Sequence, residues 1–135
     1  MTRDELYNLR HLPKEAARLE SRIAELRCKA EQVVPSGGGG SHGGGVSDKV
    51  GSNAAKIADL TQELEQSWQK CVDEELRAMR FVKSLTDARL RLIIELFFID
   101  GLSWRKVADI IGGEETENSC KQYCKRKLKE LEENQ

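Results

Sequence analysis

From Leu9 to Val33 the chain repeats its apolar side chains every seven positions, and this narrows the fold more than any other feature. Leu9, Ala16, Ile23 and Ala30 occupy one position of the repeat. Leu12, Leu19, Leu26 and Val33 occupy the other, three residues on, with Arg, Lys and Glu between them. Such spacing draws one narrow apolar seam along a helix, and a seam of that kind needs a second helix to cover it. Pro13 suits the first turn of the helix, where its missing N–H does no harm, so the residues before it are expected to form a frayed or kinked piece.

A second long helix is expected from about Asp48 to Lys83. There Val50, Ile57, Leu60, Leu64, Trp68, Cys71, Ala78 and Val82 fall at helical spacing, mostly on one stripe. Between the two helices lies Pro35 to Ser47, which holds seven of the chain's eleven glycines. The segment resembles a synthetic GGGGS linker and lacks the Gly-Lys-Ser/Thr ending of a phosphate-binding loop. It is expected to be disordered and to let the chain reverse with little constraint. Folding back lays the helices antiparallel and buries both seams, a long helical hairpin of coiled-coil type. A two-helix hairpin is thin, so the surplus apolar surface at Val72, Leu76, Met79 and Phe81 is expected to seek a partner chain and make a homo-oligomer.

Beyond residue 84 the pattern changes. Thr86 or Asp87 is placed to cap a helix from Ala88 to Asp100, where Leu90, Leu92, Ile93, Leu96, Phe97 and Phe98 cover most of the circumference. A helix apolar nearly all round must be buried, so it is expected to form the core of a C-terminal domain, with Trp104 packed on it. Gly101 breaks that run, and Ser103 is placed to cap a helix carrying Val107, Ala108 and Ile111 on one face. Gly112 and Gly113 stop it, glycine most easily taking the left-handed conformation of a helix end. Thr116 then caps a last helix with Cys120, Cys124, Leu128 and Leu131 inside. Its opposite side presents Asn118, Ser119, Gln122, Lys125, Arg126 and Lys129. From Cys120 to Lys129 there are five basic residues and no acidic one. A short polar and basic helix docked across a tight turn suits entry into a DNA major groove. The same run also suits the solvated outer face of a small helical domain, which is the commoner use of basic runs.

The segment Leu85 to Leu131 resembles region 4 of bacterial sigma factors. The matching parts are the apolar helix LRLIIELFFID, then GLSWRKVADIIG, then a recognition helix ending in a basic stretch and Leu131. The whole chain is similar to the short phage and mobile-element regulators of the RinA/ArpU type, late-gene transcription activators of Gram-positive phages. That resemblance covers nearly all of the chain and is sharp only around DGLSW. It implies a hairpin and oligomerisation region over 1–83 with a glycine-rich loop at 35–47, and it favours a natural over a synthetic origin for that loop. It further implies a three-helix, sigma-like helix-turn-helix domain over 84–135. Double-stranded DNA is then the expected partner. Arg105 and Lys106 would touch phosphate, Asn118, Gln122 and Arg126 would reach base edges, and Lys125 and Lys129 would sit on the backbone, with Ser119 on the same face. One departure matters: Glu114, Glu115 and Glu117 crowd the approach to the recognition helix, where phosphates are repelled. It favours the alternative, an interaction protein whose coiled coil is the working part. In that case the sigma-like domain touches RNA polymerase or a phage assembly component such as the packaging machinery.

Composition bounds these readings. Apolar residues make up 39% of the 135 and charged ones 33%, with seven aromatics, a balance of elongated helices rather than a thick core. The net charge of −1 argues against general stickiness to nucleic acid while leaving room for a local basic patch. Cys28, Cys71, Cys120 and Cys124 form no CxxC. Cys120 and Cys124 stand one helical turn apart, a spacing open to a metal or redox site, but on an apolar face free cysteine behaves as a small hydrophobe, so no metal or cofactor is expected. Unpaired thiols without a signal peptide point to a reducing cytoplasm. No apolar run approaches the ~20 residues of a membrane span. His11 and His42 sit where no catalytic set can be assembled around them, and the carboxylates lie on solvated faces, so an enzyme is not expected.

Overall fold

The computed structural model describes residues 1–32 and 43–135, with side-chain surroundings for 1–31 and 51–135. The regular structure is all helical, and no strand occurs among the described residues. Helix α1 spans Arg3–Gln32 and α2 spans Gly43–Ser84. Helix α3, Ala88–Ile94, runs directly into a π-helical turn, Glu95–Ile99; α4 spans Trp104–Ile111 and α5 spans Glu117–Glu133. Helix α2 begins at Gly43 rather than near Asp48. The rest of the expected loop, residues 35–42, lies outside the described residues, as does Val33 of the heptad.

The chain divides into two compact units, one of Met1–Leu12 with Lys70–Gln135 and one of Pro13–Gln69. The expected boundary at 83/84 therefore runs through the first unit. The reason is visible in its core, where Leu6 and Leu9 from α1 and Ala78 and Val82 from α2 are buried together with Leu90, Ile93, Ile94, Phe97, Phe98, Val107, Cys124 and Leu128. The start of α1 is thus part of the C-terminal fold. It is neither frayed nor separate: the helix begins at Arg3, and Pro13 lies inside it. Its first turn is closed by a reciprocal pair in which Thr2 Oγ1 accepts from the Glu5 N–H at 3.2 Å and Glu5 Oε2 accepts from the Thr2 N–H at 2.7 Å. That bond, and Arg77 at 3.0 Å, hold the Glu5 carboxyl below the usual carboxylate range.

Phe97 is the most heavily contacted ring of this unit. The Trp104 indole stacks on it at 3.7 Å and 16°, while the Arg10 guanidinium carbon lies over it at 3.7 Å. Two groups that close to one ring centre must take its opposite faces, so the phenyl is sandwiched. Phe98 and Tyr7 meet its edge at 4.9 and 6.1 Å, and Tyr7 also stands edge-on to Phe98 at 5.1 Å. Aromatic groups favour such stacked and edge-to-face arrangements. The π turn serves this packing. With Asp100 N–H bonded to Glu95 O at 2.8 Å, the widened turn carries Phe97 and Phe98 inward alongside Ile93 and Ile94. Gly101 at φ +73° then reverses the chain, and the Leu102 N–H closes onto Leu96 O. Leu92, expected in the buried circumference of α3, is exposed instead.

In the second unit Ala16 and Ile23 of the heptad are buried and Leu19, Leu26 and Ala30 are half-buried; across from them Ile57, Leu60 and Leu64 are half-buried. Trp68 is exposed rather than part of the seam, its indole N–H donating to Glu20 Oε1 at 3.2 Å. Further along, Ile23, Ala24, Arg27 and Cys28 share a shallow cavity with Thr61 and Leu64. Partner numbers on α2 fall as those on α1 rise.

Phe97→Ala should cost about 3–5 kcal/mol, the range for emptying a buried aromatic site. Arg10→Ala should cost about 0.5–2 kcal/mol through the lost cation–π contact. Urea melts of the full chain check both, and a midpoint unchanged in Phe97→Ala would remove the ring from its central place.

Candidate nucleic-acid interface

The turn between α4 and α5 sets the geometry of the candidate surface. Ser103 is extended (φ −69°, ψ 157°), and its hydroxyl accepts from the Lys106 N–H at 3.3 Å, so α4 starts where the sequence places it. The helix ends at two successive glycines, Gly112 at φ +76° and Gly113 at φ +69°. Two left-handed residues in a row strain any side chain with a Cβ, which explains the glycine pair. Helix α5 opens with a second reciprocal cap: Thr116 Oγ1 accepts from the Ser119 N–H at 3.1 Å, and Ser119 Oγ accepts from the Thr116 N–H at 2.9 Å. Val107 and Ala108 of α4 and Cys120, Cys124 and Leu128 of α5 are buried, so the inner sides of the two helices are the expected ones.

The outer face of α5 is presented to solvent. Asn118, Gln122, Lys125, Arg126 and Lys129 are exposed, as are Arg105 and Lys106 in the first turn of α4. Residues 118, 122, 125 and 129 follow one stripe at i, i+4, i+7 and i+11, with Arg126 beside it. The Gln122 amide donates to Asn118 Oδ1 at 3.5 Å, a loose bond that leaves both amides free to turn toward a ligand. Ser119 differs from its neighbours. It is half-buried, and besides closing the cap its hydroxyl donates to Glu115 Oε2 at 2.6 Å, so its polar atoms serve the helix start.

That last bond belongs to a network which alters the electrostatics of the approach. Glu115 forms an ion pair with Arg89 of α3, and the Arg89 guanidinium lies 4.0 Å from the Tyr123 ring centre. The Tyr123 hydroxyl donates to Asp87, whose other oxygen accepts the Leu90 N–H at 3.1 Å and so caps α3. The Ser119 bond, then Arg89, hold the Glu115 carboxyl below its ordinary value. The Tyr123 bond does the same for Asp87 and in turn pushes the phenol up. One of the three carboxylates that crowd the approach is therefore paired within the fold, while Glu114 and Glu117 stay exposed.

Two cations missing from the sequence-derived site stand at its edge. A cleft of about 230 Å³ is lined by Arg3 and Tyr7 of α1, Phe98, Trp104 at the start of α4, and Lys121, Cys124, Lys125 and Leu128 of α5. Lys121 sits within the basic run. Arg3 carries no signal in its own neighbourhood, since only the docking of α1 brings it here. Burial pushes the Cys124 thiol up to about 12, with Arg3 acting against the shift. Burial likewise raises Cys120, so both thiols of α5 are held neutral. Among the described residues no three His, Cys, Asp or Glu side chains are grouped to hold a metal ion, and no helix is long and apolar enough to cross a membrane.

Comparison with known protein families, with curated proteins and with solved structures finds no match to this chain.

The Asp87–Tyr123 pair makes a pH-dependent contribution of known sign. A carboxyl whose folded pKa is depressed stabilises the fold above its unfolded value, ~3.9 for Asp, and loses that stabilisation as pH falls through the folded value. Stability should therefore drop as pH is lowered through and below about 4. Asp87→Asn should be less stable at neutral pH and show a flatter acid limb. Thermal melts from about pH 2 to about pH 7, spanning the carboxylate range, give the comparison, and parallel limbs for the two proteins would count against it.

Proposed function

We propose that the protein is a DNA-binding transcription regulator of the phage type, reading duplex DNA through a sigma-like helix-turn-helix formed by α4, the glycine turn and α5. In this reading α3 supports the pair, and the long helices α1 and α2 form an antiparallel hairpin that also serves oligomerisation. The observation that carries it is the outer face of α5. Every side chain there that is free to meet a ligand is cationic or amide, and none is acidic from Asn118 to Lys129. Amides and guanidinium groups match the base edges of the major groove, Asn and Gln suiting adenine and Arg suiting guanine, while lysines suit phosphate. Arg105 and Lys106 extend the positive surface from α4. The pairing of Glu115 with Arg89 supports the reading too, by removing one repulsive charge from the approach.

Gel shifts with the DNA flanking the coding region, at two salt concentrations, test the proposal. Lys125→Ala should weaken all duplexes about equally and lower the log–log salt slope by roughly 0.9. Gln122→Ala or Arg126→Ala should instead lose about 1–3 kcal/mol on the specific site and little on random DNA. A parent protein that binds no duplex would overturn the proposal. The exposed Glu114 and Glu117 favour the second reading, in which the same domain docks on RNA polymerase or a phage assembly component without base readout.

The apolar stripe on α2 supports self-association. Val72, Leu76 and Met79 stand at i, i+4 and i+7 and remain 49%, 46% and 41% exposed, whereas Phe81 is half-buried against the core. A second copy of the chain is the occupant proposed for that stripe. Leu76→Asp should convert the oligomer to monomer in sedimentation, leaving the melting temperature near that of the parent monomer, and a parent already monomeric at tens of micromolar, an order-of-magnitude working range for such contacts, would refute it.

A further inference from the structure

The cleft between α1, α4 and α5 concentrates positive charge beyond what groove reading asks of α5 alone. Arg3, Lys121 and Lys125 line it together, with Tyr7 and Trp104 as aromatic walls and no carboxylate in the lining. Its volume, about 230 Å³, is several times the ~30 Å³ share of one water molecule, room enough for a tetrahedral oxyanion. Three like charges gathered on low-dielectric walls focus a positive potential, and an anion seated among them relieves their mutual repulsion.

Arg3 is held in place independently of any ligand. Its backbone N–H donates to Glu132 Oε1 at 2.6 Å, the Thr2–Glu5 pair closes the helix start around it, and Leu6 is anchored in the core just beyond. The fourth wall adds no negative charge, because burial keeps the Cys124 thiol neutral. Trp104 is followed directly by the exposed Arg105 and Lys106, so the cleft adjoins the positive start of α4.

From this arrangement we propose that the cleft seats one backbone phosphate of the bound duplex, clasped by Arg3 of α1 together with Lys121 and Lys125 of α5. The inference rests on the DNA-binding reading above and deepens it: the N-terminal helix becomes part of the DNA-binding surface, and Arg3 and Lys121 become binding residues. Phosphates are uniform along a duplex, so the clasp adds affinity and register without sequence preference.

The test uses the full chain and the variants Arg3→Gln, Arg3→Lys and Lys121→Gln, each titrated with specific and random duplex over a salt series. Arg3→Gln and Lys121→Gln should weaken both duplexes alike and each reduce the salt slope by roughly 0.9, while Arg3→Lys keeps the parent slope. Lys121 is exposed, so its variant remains informative even if Arg3→Gln disturbs the docking of α1. If the parent binds duplex and both glutamine variants keep its slope, the clasp is overturned and the DNA-binding reading stands. If the parent binds no duplex, inorganic phosphate is titrated against a Trp68→Phe background, following Trp104 emission. A response lost in Arg3→Gln then keeps the cleft as a site for free phosphate and rejects only the duplex. Absence of any response overturns the cleft as well.

Discussion

The sandwich of Phe97 between Arg10 and Trp104 is the contact on which the rest of the first unit depends. Each of its three members comes from a different part of the chain: the first helix, the π turn, and the start of the helix that leads into the glycine turn. Arg10 adds a second tie, its guanidinium donating to Leu102 O at 3.4 Å in the bend after Gly101. Placing Trp104 places α4, and α4 in turn sets the turn that presents α5. The guanidinium is well suited to the task. It covers an aromatic face with its plane while keeping N–H groups directed at a carbonyl, which a lysine ammonium does less well.

Much of the C-terminal half was legible because each of its breaks is enforced locally. Ser103 and Thr116 cap where hydroxyls precede helical runs, and Gly101, Gly112 and Gly113 take the positive φ that their positions require. These are interactions within four residues, so a reading of neighbours suffices. The outward set on α5 was legible for the same reason, since helical periodicity alone separates Cys120, Cys124 and Leu128 from Gln122, Lys125 and Arg126. Ser119 shows the limit. Periodicity puts it near the outer face, but the capping geometry turns its hydroxyl back onto Thr116 and Glu115.

What escaped was the role of the first twelve residues. Pro13 reads as a helix start, and the heptad begins at Leu9, so the segment before them reads as a frayed or kinked piece. Yet Thr-Arg-Asp-Glu at positions 2–5 carries the spacing of a capping box, a local signal that a helix begins at Arg3. Tyr7 and the fully buried Leu6 lie off the seven-residue seam, and their partners, Phe98 and the core around it, are some ninety positions away. No periodicity within α1 can reveal a surface that far along the chain. The π turn escaped likewise: a run of Leu96, Phe97, Phe98 and Ile99 reads as a helix buried all round, and only the packing of both phenyl rings shows why the turn widens.

The electrostatic balance of the proposed DNA-binding surface follows from this architecture. A chain with net charge −1 cannot rely on a general attraction to a polyanion, so its affinity has to come from where the cations are held. The fold concentrates them in two steps. The Arg89 pairing draws Glu115 out of the approach, using a cation of α3 for an anion beside α5. The docked first helix then brings Arg3 to the flank of the lysines on α5, a charge no local segment of the C-terminal domain supplies. Glu114 and Glu117 remain exposed and still oppose binding at that end of the helix. On the proposed reading, a head balanced in this way gains only a modest number of phosphate contacts, so its hold on DNA is weak and its salt dependence correspondingly shallow. Doubling the heads through the apolar stripe of α2 converts the second contact into an intramolecular one, raising the hold without adding a single charge. On the proposed reading, then, the exposed Val72, Leu76 and Met79 and the sparse basic face of α5 are two halves of one solution: weak single heads that release random DNA, and paired heads that retain a site with two matching halves.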